Sequence, residues 1–323
     1  MTDMNTTVPD EVEIKVVGLP ADLAGEIEET LRSLLDVIGA RIDLSGLDGV
    51  TCARDYQQAL LDLDRGYATD FKLAPSDDHG VGIAMSPSVM RGNQLKTHIV
   101  LNAGSLLAMV LEKRHDLFRN TIAHECAHVE LNRLFDIAFP GFFPRMKVDP
   151  IENFRIETML ACWNEFGACW RSASIGPSGL LAYEEAFLPA LEQTRTRANA
   201  AIMAYGVDND AGTMLSKVLG LYSDLLKYAA YHLGNLHGLG VDWHTVPSTA
   251  EPLQDHWFRP YFERLDSTCK AISADLGNWT GSDSFDALRD LAEEVVGDGG
   301  LFFTREADGR VRFDIMWQLV TSE

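Results

Sequence analysis

Basic residues are scarce in this sequence, and long apolar runs are missing. Lysine and arginine number 27 against 48 aspartate and glutamate residues, so the formal net charge is −21. Because nucleic acids and anionic membrane surfaces are bound through clustered cations, we expect neither as a partner. No apolar run reaches the roughly 18 residues that cross a bilayer, and residues 1–13 lack the basic start and the apolar stretch of a secretory signal.

Cysteines are few and follow no recognisable pattern. An odd number does not suit a disulfide scaffold, and without a C-x-x-C pair a thiolate zinc cluster is excluded. We therefore expect a reducing, cytoplasmic location. The five cysteines are Cys52, Cys126, Cys162, Cys169 and Cys269.

The remaining composition is that of a folded protein. With 323 residues, of which 46% are hydrophobic, the chain can form one large domain or two smaller ones. The residue pattern predicts an α+β fold in which most residues are helical. The predicted strands are 13–17, 81–85, 96–102, 301–304 and 311–315, with a turn at Gly92-Asn93. The predicted helices are 22–38, 55–63, two pieces within 106–135, 151–172, 180–204, 212–236, 255–276 and 283–296.

One segment has the pattern of a metal site. Residues 124–128 read His-Glu-Cys-Ala-His, which is H-E-x-x-H within a helix-forming run. Residues at i and i+4 share a helix face, so the imidazoles of His124 and His128 can hold one cation on their apolar stripe. Glu125 lies about 100° further around the turn, where its carboxylate can reach a metal-bound water without being a ligand. Zn²⁺ best suits imidazole ligands with one open position.

A catalytic zinc site needs a third protein ligand. Two leucines stand where an H-x-x-G-x-x-H continuation would place glycine and histidine, so the ligand must come from another helix. On the predicted helix 151–172 we favour Glu165, because small residues one turn away allow a second helix to approach. Glu157 is the alternative, and it lies about 12 Å earlier along the helix axis, so both cannot bind one ion.

These residues resemble a known family. HECAH on one helix, followed by an acid-bearing helix that reads CWNEFGACWRS, resembles a gluzincin-type zinc metallopeptidase. It is more loosely similar to the ImmA/IrrE group of small bacterial H-E-x-x-H proteins. The resemblance covers roughly residues 80–172. It implies His124 and His128 as zinc ligands, Glu125 as general base and Glu165 as third ligand.

We expect the chain to divide into two parts. Residues 11–175 would form a zincin-like metal-binding core with a small antiparallel sheet beside the H-E-x-x-H helix. Residues 176–323 would form a helical region that ends in a β-hairpin and packs on the core. His232, Tyr228 and Asn235 share one stripe of a later predicted helix and are candidates for a further donor to the reaction.

The sequence therefore predicts a zinc-dependent hydrolase, most simply a peptidase. A metal-bound water activated by Glu125 would attack a peptide or protein substrate, which could lie antiparallel to 96–102 if that strand is an exposed edge. One alternative is a non-catalytic regulatory or toxin–antitoxin-type module that keeps the zincin fold for binding proteins. Another is a DNA mimic that uses its acidic surface to occupy a nucleic-acid-binding partner.

Overall fold

The computed structural model describes residues 6–69, 72–75, 82–142, 148–175 and 183–320. Contacts divide the chain into two compact units. The first consists of Met1–Pro140 and Gly167–Gly179, and the second of Gly141–Phe166 and Leu180–Glu323. This division assigns 141–166 to the second unit, whereas the sequence analysis placed these residues in the first part of the chain.

The first unit is built on a mixed sheet of five strands. Strand β1 runs parallel to β2, and β2 runs parallel to β5. Strands β3 and β4 pair antiparallel with the other side of β5. The elements are β1 (Glu13–Val17), α1 (Ala21–Gly39), β2 (Leu47–Ala53), α2 (Tyr56–Asp62), β3 (Ala84–Met85), β4 (Ser88–Arg91), β5 (Gln94–Asn102), α3 (Ala103–Leu111) and α4 (His115–Ala138).

Strand β2 corrects two sequence predictions. None of the predicted strands covers residues 47–53, but β2 begins at Leu47 and pairs with strands on both sides. The sheet is therefore mixed, and the prediction of an antiparallel sheet is wrong. Glycine suits this strand because a Cβ at Gly49 would lie 3.0 Å from the His98 ring. Since β2 covers β5, the segment 96–102 is not the edge along which a peptide could pair.

The edge of the sheet is formed by residues 84–91. The hairpin between β4 and β5 turns at Gly92-Asn93, as predicted. The register with β5 is the same on both sides of the gap between β3 and β4, since Met85 pairs with Val100 and Ser88 with Thr97. The gap contains Pro87, which has no N–H to donate and is typical of edge strands. The start of the predicted strand 81–85 lies outside the described residues.

A polar cluster ties this edge to the parallel strands. The Asp48 carboxylate accepts hydrogen bonds from Arg91 Nε and Nη2, both at 2.8 Å. His98 joins the cluster through Nδ1, 2.9 Å from Asp48 Oδ2, and through Nε2, 2.9 Å from Thr51 Oγ1. Burial opposes ionisation of Asp48, but the hydrogen bonds from Arg91 and His98 prevail and lower its pKa. The cluster therefore links β2, β4 and β5 by charge-assisted bonds.

The second unit is helical except for a terminal hairpin. Helix α5 (Pro150–Ser172) begins in this unit and continues past Phe166 into the first. The predicted α+β class with mostly helical residues is confirmed. Helix α8 was missed, since two of its seven residues are proline. The further elements are α6 (Glu184–Asp208), α7 (Ala211–Gly238), α8 (Pro247–Leu253), α9 (Arg259–Ala274), α10 (Asp283–Asp298), β6 (Leu301–Arg305), β7 (Val311–Ile315) and α11 (Trp317–Val320).

Aromatic rings and one close helix approach form the core of the second unit. The Trp163 ring meets Trp279 and Phe285 edge to face, with centroids 5.5 and 5.9 Å apart. A Cβ at Gly234 of α7 would lie 2.2 Å from the Phe166 carbonyl oxygen of α5. The backbones of α5 and α7 are therefore nearly in contact, which only glycine permits at this position.

None of the helices in the described part of the chain combines the length and hydropathy needed to cross a membrane.

His232 is part of this core. Its side chain is fully buried, and its Nε2 lies 2.8 Å from Thr249 Oγ1. The Thr249 hydroxyl in turn donates to Glu184 Oε1 at 2.6 Å. Burial lowers the pKa of His232 to about 4, and the nearby Glu184 charge only partly opposes this. The ring is therefore neutral in the folded protein at neutral pH.

Acid should destabilise the protein through His232. In the unfolded chain this histidine takes a proton near pH 6.5, whereas in the folded protein it does so only near pH 4. The unfolded state binds more protons between these values. The contribution of His232 to the free energy of unfolding is therefore fully present above pH 6.5, and it falls by about 3 kcal/mol on going to pH 4. Urea unfolding across this range measures the fall. In His232→Gln the slope should be smaller, and an equal slope in the variant would contradict the assignment.

Candidate metal centre

Helix α4 presents the two histidines of the H-E-x-x-H segment on one face. The helix is continuous over His115–Ala138, and it is separated from α3 near the break that the sequence predicted. His124 is 9% exposed, and His128 is partly buried one turn later. Their Nε2 atoms lie 3.2 Å apart, and the ring planes are nearly perpendicular at 85°. The two rings thus bring their Nε2 atoms close to each other.

Helix α5 supplies the carboxylate. Three potential ligand atoms lie within 4.8 Å of one another, one each from His124, His128 and Glu165. Glu157 is exposed on the same helix and is not part of this group. Among the described residues, this is the one such group of three potential ligands. The structure therefore brings together the three residues that the sequence analysis favoured.

The last turns of α5 are seated closely on α4. A Cβ at Gly167 would lie 2.7 Å from Leu131 Cδ1, so the absence of a side chain permits the approach. Cys169 Sγ lies 3.8 Å from His124 Nδ1. Glu165 precedes Cys169 by one helical turn, and residues four apart lie on the same face. The Cys169 contact thus places this face of α5 against His124.

A buried ion pair fixes the same two helices. Glu130, 7% exposed on α4, accepts from Arg171 Nε at 2.6 Å and from Arg171 Nη2 at 3.1 Å. Its Oε1 also accepts from the Asp43 backbone N–H at 3.1 Å. Asn120 at the other end of the contact donates to the Ser172 carbonyl. The sequence analysis missed Glu130 and Arg171, since a carboxylate and an arginine far apart in sequence give no local pattern.

The residues present fit a zinc ion. Tetrahedral zinc with Zn–N bonds of 2.0–2.1 Å places two nitrogen ligands about 3.3 Å apart, and the histidine nitrogens are 3.2 Å apart. The carboxylate oxygen lies within 4.8 Å, a distance that rotation about the flexible glutamate side chain can shorten. His124 Nδ1 faces the Cys169 sulfur, and a proton held on Nδ1 would give Nε2 the lone pair with which imidazole coordinates a cation.

Glu125 is held by a residue of the sheet edge. The Glu125 side chain is 7% exposed. The Ser86 hydroxyl donates to Glu125 Oε2 at 2.6 Å and lies 3.3 Å from the Glu125 backbone oxygen. This bond orients a carboxylate that is not among the three grouped ligands. Ser86 was not singled out from sequence, and its only local signal is its place before Pro87 in a β-prone run.

The other sequence candidates have structural roles. His232 is bonded to Thr249 in the core of the second unit, so the suggestion that it acts as a donor to the reaction finds no support in its surroundings. All five cysteines are buried free thiols. Burial raises the pKa of Cys126, and it raises that of Cys162 to about 12, so neither is a thiolate at neutral pH. These cysteines pack as small apolar residues.

Comparison with known proteins adds no relative. No family model, curated protein or solved structure matches the chain.

Removing the carboxylate of the α4–α5 ion pair should be costly. Glu130→Ala leaves Arg171 and the Asp43 N–H without their acceptor, so we expect a loss of about 2–4 kcal/mol in the free energy of unfolding. Urea titration measures this loss. The control is Arg133→Ala, which breaks a half-exposed pair with Asp43 and should cost less than about 1 kcal/mol. Equal effects of the two variants would show that Glu130 does not fix the helices.

Proposed function

We propose that the protein is a zinc-dependent hydrolase that acts on a peptide or protein. The observation that carries this proposal is the pair of histidine Nε2 atoms 3.2 Å apart, with a glutamate oxygen close by. Two imidazoles and one carboxylate with a fourth position open form the donor set of a catalytic zinc site. Such a zinc lowers the pKa of its bound water toward 7, which supplies a nucleophile at neutral pH.

Within this proposal Glu125 is the general base. It follows His124 on the helix but is not one of the three grouped ligands. A general base has to lie beside the metal without binding it, so that its carboxylate can accept a proton. Ser86 fixes its Oε2 by donating a hydrogen bond, which leaves Oε1 to accept the proton of the attacking water. After the attack Glu125 would pass this proton to the leaving nitrogen. Ser86 is then a positioning residue, since it acts through Glu125.

The substrate class follows from the sheet edge. Ser86 belongs to the edge strand 84–91 and also contacts Glu125. An extended peptide can add a strand to such an edge through main-chain hydrogen bonds, and this would bring its amide carbonyls next to Glu125. A mixed sheet whose antiparallel edge lies beside the H-E-x-x-H helix is also the arrangement we propose as zincin-like. These features favour a peptidase over a hydrolase of small molecules.

The proposal predicts one zinc per chain. His124→Ala, His128→Ala and Glu165→Ala should each lower zinc affinity by at least about tenfold, because each removes one of three ligands. Glu157→Ala and His115→Ala, which change exposed residues on the same two helices, serve as matched controls and should retain full metal. Elemental analysis after dialysis against a weak chelator measures the content. Stoichiometric zinc in both histidine variants would rule out this site.

Glu125→Gln separates a hydrolase from a binding module. The variant keeps its volume and can still bond Ser86, so it should hold zinc and fold as the parent does. We expect hydrolysis of a mixed peptide library to fall by about 10²-fold or more, the scale of general-base catalysis. Mass spectrometry of the library before and after incubation gives the rates. A zinc-loaded parent that cleaves no library member would instead favour the non-catalytic regulatory module.

A further inference from the structure

Among the described residues, a loop covers part of the edge strand 84–91 and leaves the rest uncovered. The carbonyls of Ile83 and Pro87 accept from the N–H groups of Asn102 and His98, so odd-numbered residues of this strand direct their main chain toward β5. Even-numbered residues therefore direct their N–H and C=O groups away from β5, because the two sides alternate along an antiparallel strand. The positions whose main chain faces away from β5 are Ala84, Ser86, Ser88 and Met90.

A short loop occupies two of these four positions. Residues Asp64–Gly66, which we call the edge plug, lie against Ser88 and Met90. The Met90 N–H donates to the Arg65 carbonyl at 2.8 Å. The Arg65 side chain returns a bond of 2.8 Å from Nε to the Ser88 carbonyl. Arg65 thus bonds to the strand in the way that a paired strand residue would.

The edge plug is clamped from both sides. Arg91 Nη1 donates to the Asp64 carbonyl at 3.1 Å. Gly66 has a φ of +68°, and a Cβ there would lie 1.9 Å from the Met90 carbonyl oxygen. Arg65 also contacts Tyr67, whose ring centroid lies 4.9 Å from the guanidinium carbon. The close approach of the loop to the strand is therefore specified by the absence of a side chain at Gly66.

We propose that the edge plug, through Arg65, limits how far a substrate can extend on the N-terminal side of the bond that is cleaved. This inference rests on the proposed hydrolase function. Ser86 marks the catalytic position, since its hydroxyl bonds to Glu125. A peptide that runs antiparallel to the strand pairs its earlier residues with later strand positions, which are Ser88 and Met90. The Arg65 bonds occupy these positions.

The length of the open segment sets the limit. Positions on one side of a strand recur every two residues. A peptide residue opposite Ser86 can thus be preceded by about one residue, because the next earlier residue would face Ser88, whose carbonyl is bonded to Arg65. The C-terminal side of the substrate pairs toward Ala84, where the described residues place no such loop. The substrate class is therefore a peptide trimmed near its N-terminus, and Arg65 is its specificity-determining residue.

A mixed peptide library analysed by mass spectrometry tests this limit. The zinc-loaded parent should cleave within about two residues of the peptide N-terminus. In Arg65→Ala, cleavage further along the peptides should increase by about tenfold or more, the ratio that corresponds to regaining one to two hydrogen bonds. Gly66→Ala should act in the same direction, because it displaces the loop and keeps the guanidinium. Arg32→Ala, an exposed arginine on α1, is the matched control and should cleave as the parent does.

Hydrogen exchange provides a second readout that needs no turnover. In Glu125→Gln, a pool of the library peptides should slow amide exchange at Ala84 and Ser86. Adding Arg65→Ala should speed exchange at the Met90 amide when no peptide is present, because its acceptor loop is loosened. With the peptides added, protection should then extend to Ser88 and Met90. Unchanged protection in the double variant would overturn the proposal.

The possible results separate this inference from the function on which it rests. Cleavage by the parent at internal and N-terminal bonds alike, unchanged by Arg65→Ala, would overturn the limit while the hydrolase stands. A limit on the C-terminal side would overturn the proposed peptide direction. No cleavage and no amide protection by a chain that holds zinc would reject both the hydrolase and the edge-plug limit.

Discussion

The close seating of the end of α5 on α4 is the constraint on which the candidate site depends. It is possible because Gly167 leaves room for Leu131, and it is fixed because Arg171 donates from Nε and Nη2 to the two carboxylate oxygens of Glu130. Cys169 reaches His124 within the same contact. Helix α5 carries Glu165 one turn before Cys169, so an error of one turn in this contact would remove the carboxylate from the histidines.

The sheet orients Glu125, whereas helices α4 and α5 carry the three potential metal ligands. Ser86 connects the edge strand to Glu125, and the cluster of Asp48, Arg91 and His98 connects that strand to the parallel part of the sheet. The same arginine also clamps the loop that covers the far half of the edge. One set of polar contacts therefore bears on both the proposed general base and the proposed binding surface.

Local patterns predicted what depends on neighbours in sequence. The H-E-x-x-H spacing was enough to place two imidazoles on one helix face, because helical geometry is local. The small residues near Glu165 favoured it over Glu157 for the same reason, and the structure places Glu165 with the histidines and Glu157 in solvent. Strand β2 was missed because its aspartate is bonded by Arg91 and its glycine leaves room for His98, and both of these partners lie on other strands, which no local pattern contains.

Periodicity and side-chain chemistry were enough to predict most of the helices, their apolar faces and the residue types of the candidate metal ligands, since these depend on neighbours along the chain. Long-range packing sets which strand is the edge, which serine meets Glu125 and which arginine covers the edge strand. Ser86 lies 39 residues from Glu125 along the chain, and Arg65 lies 23 from Ser88. Such contacts depend on how separate segments pack in three dimensions, and the order of residues within each segment does not encode them locally.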